Sequence, residues 1–368
     1  MLKPARVRQL YAWHKWTGLI TGIFIFILSL TGAMAVFKHD IDALLTPGLK
    51  VPVTGERLPL ETVFSSIKEQ LPGKRLIYLD IAQWPGDTHN FSMKLGDTKY
   101  QFFVNPYNGE ISGRRTGETF ANVLRQTHLR LFYFKWQGRV FVGVMGLALL
   151  ISSITGLIIY FPFMKKLSFG QIRWKQKLQL ILSDWHKLIG ITTIIFNIVI
   201  GLTGAVLGLE NLQRYSDTAK AVIHPKPSKA DRRDKPATIE NRLTIDAALL
   251  KAQEAIPRFV AEYVRLPRAK KNHWYFKGHV DRHLSAKGTA WIILDTHTGA
   301  TIAKEDPRQT QFLTKAYNVS EPLHFGYFAG PFVKVLYCLL GLASGLLSIS
   351  GFVIWILKWR GYKRNRSA

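Results

Sequence analysis

Apolar residues in this chain gather into four long runs, 16–37, 140–163, 188–209 and 332–357. Each is long enough to cross a bilayer as a helix, which takes ~20 residues. The first and third runs contain no Lys, Arg, Asp or Glu at all, and a helix apolar all round at that length belongs in lipid. The segments between them are patterned differently. "LPLETVFSSIKEQLPG" from Leu58 has the period of an amphipathic helix, and "YQFFVNPYNGEISG" from Tyr100 reads as strand, turn, strand. The same order returns in "LTIDAALLKAQEAIPR" from Leu243 and "AWIILDTHTGATIA" from Ala290.

The runs themselves repeat. Trp13-His14-Lys15 aligns with Trp185-His186-Lys187, Gly18 with Gly190, and Leu30-Thr31-Gly32-Ala33 with Leu202-Thr203-Gly204-Ala205. "GLALLISSITGLIIY" from Gly146 matches "GLASGLLSISGFVIW" from Gly341. The expected fold is a mostly α membrane protein. It has four transmembrane helices in two tandem repeats and two small α+β domains outside the membrane, at 38–139 and 210–331. The Pro-rich, charged stretch 224–238 is expected to be an exposed linker. The "AMA" that ends the first run resembles a signal-peptide cleavage site. The third run repeats the same pattern and cannot be a leader, so the first is kept as a span.

Charge gives the sidedness. Lys+Arg number 50 against 24 Asp+Glu, a formal net charge of +26. The excess concentrates at 1–15, 164–187 and 358–368, which share one face of a four-span chain. By the positive-inside rule that face is the cytoplasm. The expectation is an inner-membrane protein with both termini cytoplasmic and both long loops periplasmic. Once the charge is read as a topology and lipid-headgroup signal, no nucleic-acid partner is implied. The single cysteine, Cys338, excludes disulfides within the chain and Cys-rich metal or iron–sulfur sites. No G-x-G-x-x-G, P-loop, H-E-x-x-H or G-x-S-x-G pattern occurs.

Four histidines keep their places in the repeat: His14 and His186 at the cytoplasmic ends of runs one and three, and His128 and His324 just before runs two and four. Two histidines at one depth on two helices suit the axial ligation of a b-type haem, and Gly18, Gly190 and Gly326 would leave room for the ring. Lys15, Lys187, Arg125 and Arg130 are placed to meet propionates. Interfacial packing or a proton relay would use the same placement. His39 is an alternative outer ligand, but its repeat partner is Asn211. His273, His279 and His283 would suit a metal only on a helix, and their surroundings suggest strand and turn. His89 and His297 read as turn residues.

The phrases "WHKWTGLITG", "THLRLFYFKWQGRVFVGVMGLALLISSITGLIIYF", "DWHKLIGI" and "LHFGYFAGPFVKVLYCLLGLASGLLSISGFVIW" resemble the PepSY-associated transmembrane proteins, and the outer loops resemble PepSY domains. The resemblance covers nearly the whole chain. It implies a function like that of the FoxB-type siderophore reductases: two b-type haems, with His14, His186, His128 and His324 as ligands of their iron. An unidentified donor in the membrane or cytoplasm would supply electrons to Fe(III) in a periplasmic siderophore. Fe(II) fits hard oxygen ligands poorly and would be released. Trp136, Trp274, Tyr275, Arg282 and Tyr327 could serve a bulky, anionic chelate, or could equally be core and surface residues. A non-redox, membrane-anchored PepSY interaction or regulatory module is the alternative, with a siderophore permease as a third reading.

Overall fold

The structure, a computed structural model, describes residues 3–74, 76–95, 97–132, 135–164, 167–215, 242–267, 273–284 and 288–366. The expected linker at 224–238 lies outside the described residues. The chain divides into two compact units. One is helical and comprises 1–38, 121–220 and 320–368, and the other comprises 39–120 and 221–319.

In the helical unit, α1 (Pro4–Ala35), α5 (Lys135–Phe163) and α10 (Gly330–Arg366) each contain a stretch long and apolar enough to cross a membrane. The short helices α4 (Phe120–Arg130) and α9 (Phe312–Phe325) precede α5 and α10. The expectation of four continuous spans fails at the third run. That run is two helices, α6 (Leu178–Thr192) and α7 (Ile194–Tyr215), bent by 67°. The cause is a polar cluster at the break, centred on the buried Thr193, Asn197 and Ser344 side chains. The Thr192 and Thr193 hydroxyls donate back to the Leu188 and Ile189 carbonyls, at 2.9 and 2.8 Å. Asn197 donates to the Thr193 hydroxyl at 2.9 Å and accepts from Ser344 at 2.5 Å. Hydroxyls bonded back in this way bend helices. The first repeat has Thr21 and Ile25 at the equivalent positions; Thr21 also donates back to Thr17, but without the amide α1 continues as one helix. Glycines let α5 and α7 approach closely. A Cβ added at Gly208 would lie 2.3 Å from the Gly143 Cα, and one at Gly146 would lie 2.7 Å from the Ala205 nitrogen.

The second correction concerns the loops. They do not form two small α+β domains but share one eight-stranded antiparallel sheet. Helices α2 (Lys38–Leu45) and α3 (Leu60–Gln70) lead into β1 (Leu76–Asp80), β2 (His89–Leu95), β3 (Thr98–Val104) and β4 (Ile111–Thr116). Helix α8 (Ile245–Ala255) leads into β5 (Phe259–Arg265), β6 (His273–Val280), β7 (Ala290–Asp295) and β8 (Thr301–Glu305). The order is β4-β3-β2-β1-β5-β6-β7-β8.

Strands β1 and β5 join the halves through Tyr78↔Arg265, Leu79↔Val264 and Asp80↔Tyr263. Separate halves would each leave one of these strands as an open edge. The halves also share a core: Leu79, Phe91 and Phe102 cluster with Phe259, Trp274, Phe276 and Ile292 under Ile67 of α3 and Ala248 of α8. Their helix starts cap one another. The Asp246 carboxylate accepts from the Leu60 and Glu61 amides, both at 2.9 Å, and Glu61 accepts from the Ile245 amide at 2.8 Å. The helix and strand–turn–strand phrases of the sequence do form α3, α8, β3–β4 and β7–β8.

Candidate functional site

The helical unit brings the four repeated histidines together as two pairs. The His14 and His186 ring centroids are 6.2 Å apart, and those of His128 and His324 are 6.0 Å apart. His14 and Leu28, whose carbonyl meets His128, both lie on α1, so about 21 Å of helical rise separates the two levels.

Each ring is held by a helix other than its own, at the same position of the repeat pattern four times. His14 Nδ1 lies 2.9 Å from the Ser152 carbonyl and 3.4 Å from the Thr155 hydroxyl. His128 Nδ1 lies 2.9 Å from the Leu28 carbonyl and 3.4 Å from the Thr31 hydroxyl. His186 Nδ1 lies 2.8 Å from the Ser350 hydroxyl, and His324 Nδ1 lies 2.9 Å from the Thr203 hydroxyl. The carbonyls of Leu347 and Ile200 also engage these last two rings.

A glycine follows each hydroxyl residue, and the imidazole packs against the side of the glycine where a Cβ would stand, too closely for one at three of the four. The added atom would lie 2.7 Å from the His128 ring at Gly32, 3.1 Å from His14 at Gly156, 3.2 Å from His324 at Gly204 and 3.5 Å from His186 at Gly351. Carbonyl, hydroxyl and glycine, spaced n, n+3 and n+4, form a cradle on one helical face. The holding is reciprocal within each half: α1 and α5 carry the cradles for His128 and His14, and α7 and α10 those for His324 and His186.

A carbonyl oxygen can only accept, so Nδ1 carries the proton and Nε2 is left as a lone-pair donor. Two such nitrogens per pair are the donor type that a bis-imidazole iron site would need. Metal–imidazole bonds of about 2.0–2.1 Å on opposite sides of one metal would place the ring centroids roughly 6.3 Å apart. The observed separations fit that arrangement, and neutral imidazole with a fixed outer proton is the form that binds iron in haem. Among the described residues, no group of three or more His, Cys, Asp or Glu side chains could hold a metal by protein ligands alone.

Cations surround both levels. Lys187 and Arg173 bind the buried Asp184 carboxylate at 2.9 and 2.8 Å, beside a small surface pocket lined by Tyr160, Gln171 and Leu188. Lys15 lies over the Trp16 ring at 4.4 Å. Near His128, burial and the neighbouring Arg139 and Arg130 pull the Arg125 guanidinium below its ordinary value, and Glu321 opposes them.

The other sequence candidates disperse. His39 opens α2 in the sheet unit, and its repeat partner Asn211 has a side chain outside the described residues, as does Trp136. His279 pairs with Glu262 at 3.1 Å on β6, and His283 lies in the following turn. His89 is not a turn residue. It is buried in β2 and accepts from the Ala82 amide at 3.1 Å, and burial with the Arg57 charge lowers its pKa to about 4. Trp274 is a core residue at 1% exposure, Tyr275 is half-buried on β6, Arg282 is exposed, and Tyr327 donates to Glu321 at 3.1 Å. Sequence reasoning missed the cradles, although "LTG" twice, "ITG" and "ISG" are themselves part of the repeat.

These features define a multi-helix membrane protein carrying paired, partly buried histidines and a single fused antiparallel sheet. The chain belongs to the PepSY-associated TM region family, whose model matches residues 11–358. It is also similar to an uncharacterized protein of Pseudomonas aeruginosa, 25% identical over 264 residues. That match covers 64% of this chain and 63% of the relative, just under two thirds of its length.

Proposed function

We propose that the chain is a dihaem b-type ferric-siderophore reductase of the bacterial inner membrane. Its termini would be cytoplasmic and its sheet-forming loops periplasmic, with electrons crossing the membrane to Fe(III) chelates and iron released as Fe(II). The observation that carries this reading is the pair of facing histidine sets at 6.2 and 6.0 Å, each ring with its Nδ1 proton committed to a neighbouring helix.

His14 with His186, and His128 with His324, would hold the two haems. Haem iron with two imidazole ligands supplies one-electron transfer. The residues of this chain do the rest. The cradles fix ring orientation and tautomer, and the glycines leave room for the rings. The Arg125, Arg130 and Arg139 group would offer charge to carboxylates, whereas Lys187 is already paired with Asp184.

The test is purification after expression with haem supplied. A Soret band is expected, and His14→Ala with His186→Ala should remove one of the two haems. Anaerobic mixing of the dithionite-reduced protein with a panel of ferric chelates should reoxidise it. Absence of the band in the unmodified protein sinks the haem reading. A reduced protein that no chelate reoxidises sinks the siderophore as acceptor, and a non-redox PepSY module would then be the better account.

A further inference from the structure

We infer that the hydroxyls of Thr203 and Ser350 are positioning residues for His324 and His186, while their repeat counterparts Thr31 and Thr155 do not share this task for His128 and His14. The inference rests on the haem reading above.

The four cradles have the same sequence form, and their distances split them into two kinds. His14 and His128 give their Nδ1 proton to a main-chain carbonyl at 2.9 Å, with the hydroxyl at 3.4 Å. The longer distance is past the usual range of a hydrogen bond. His186 and His324 have the hydroxyl itself at 2.8 and 2.9 Å. Those hydroxyls spend their own protons on their own helices: Thr203 donates to the Val199 carbonyl at 2.7 Å, and Ser350 donates to the Leu347 carbonyl at 3.0 Å. Their oxygens are therefore acceptors towards the ring, which fixes the Nδ1–H tautomer and leaves Nε2 bare.

The Leu347 and Ile200 carbonyls stay beside these two rings when the hydroxyls are removed, so the variants read the share of the holding that the hydroxyls carry. Each pair thus joins one carbonyl-held ring, from the first repeat, to one hydroxyl-held ring, from the second. A carbonyl held in a helix cannot be mutated away, but a hydroxyl can, so the short contacts of the second-repeat rings are the part of the holding that substitution can reach.

The experiment compares Thr203→Val, Ser350→Ala, Thr31→Val and Thr155→Val in the full-length protein. Haem affinity is read by titration of the apoprotein with hemin, and midpoint potential by spectroelectrochemistry. Loss of an outer-shell partner costs a metal ligand about tenfold or more in affinity, so Thr203→Val and Ser350→Ala should show that loss, and Thr31→Val and Thr155→Val should stay within about threefold. The potential of the affected haem should rise in the first two variants, because a ligand without its acceptor is less basic and favours Fe(III) less. Thr203→Ser and Ser350→Thr should restore both readouts. Equal effects at all four positions, or Thr203→Ser behaving like Thr203→Val, overturn the inference while leaving the haem reading intact. An unmodified protein that binds no hemin overturns both, and is distinguished by that control alone.

Discussion

Alanine at the four cradle glycines gives a graded prediction. Carbon atoms in contact prefer separations of ~3.5–4.0 Å. The new methyl would sit 2.7 Å from the His128 Cε1 in Gly32→Ala, 3.1 Å from the His14 Cε1 in Gly156→Ala, 3.2 Å from the His324 Cε1 in Gly204→Ala and 3.5 Å from the His186 Cε1 in Gly351→Ala. The worst overlap is also the hardest to relieve, because the His128 ring is tied at 2.9 Å to Leu28 on the same helix as Gly32. Overpacking of this kind costs about 1–3 kcal/mol, and replacing a helical glycine by alanine returns up to about 1 kcal/mol. The net for Gly32→Ala is a loss of about 1–2 kcal/mol, with Gly156→Ala and Gly204→Ala near zero. Gly351→Ala, with no overlap, should gain up to about 1 kcal/mol. At 2–4 °C per kcal/mol for a unit of about 200 residues, Tm in detergent should fall by roughly 2–8 °C for Gly32→Ala and rise slightly for Gly351→Ala. Haem content measured alongside should fall in the same order. The reasoning is refuted if Gly351→Ala destabilises as much as Gly32→Ala, because the order follows from ring positions alone.

Two further predictions concern the sheet unit. Asp246→Ala removes the acceptor for two α3 amides and should cost about 1–2 kcal/mol in urea unfolding. Adding Glu61→Ala should cost less than the sum of the two, because both carboxylates hold the same pair of helix starts; strict additivity would show the caps to be independent. The Asp80 carboxyl is raised by burial from 3.8 to about 6, with Lys99 and Arg115 pulling the other way. The folded protein then binds this proton more tightly than the unfolded chain, so stability falls as pH rises from about 4 to about 6 and stays low above, by at most ~3 kcal/mol. Asp80→Asn should remove that slope and stabilise the unit at pH 7. An unchanged pH profile in the variant would assign the slope to another group.

How much could be read in advance depended on the kind of information each feature carries. The apolar runs and the histidine positions are one-dimensional patterns, visible as length, period and repetition. The β1–β5 seam is not such a pattern. Tyr78, Asp80, Tyr263 and Arg265 look like any alternating strand, and nothing in their spacing says that two loops far apart in the chain will share an edge. Asp246 and Glu61 read as ordinary first-turn acids, each apparently capping its own helix, whereas each caps the other's. The break at Thr193 was hidden differently. Its cause, Asn197, is a single amide in an otherwise apolar run, and the partner that buries it, Ser344, comes from a distant helix. The reading of His89 as a turn residue fails for a related reason: burial is a property of the assembled sheet.

The repeat was also read too literally. A duplicated sequence supplies equivalent residues, but equivalence of use has to be built by the helices that carry them. In the first half, His14 and the cradle of Leu28, Thr31 and Gly32 ride on one continuous helix, so the placement of one fixes the other. In the second half, His186 rides on α6, and the cradle of Ile200, Thr203 and Gly204 rides on α7, beyond a bend of 67°. Ring and cradle there are set by two separately packed helices. This is also the half in which hydroxyls rather than carbonyls make the short contacts with the histidines. Ile25 in one half and Asn197 in the other therefore separate a rigid pair of holding positions from an adjustable one. Each histidine pair takes one member from each half, and so combines the two.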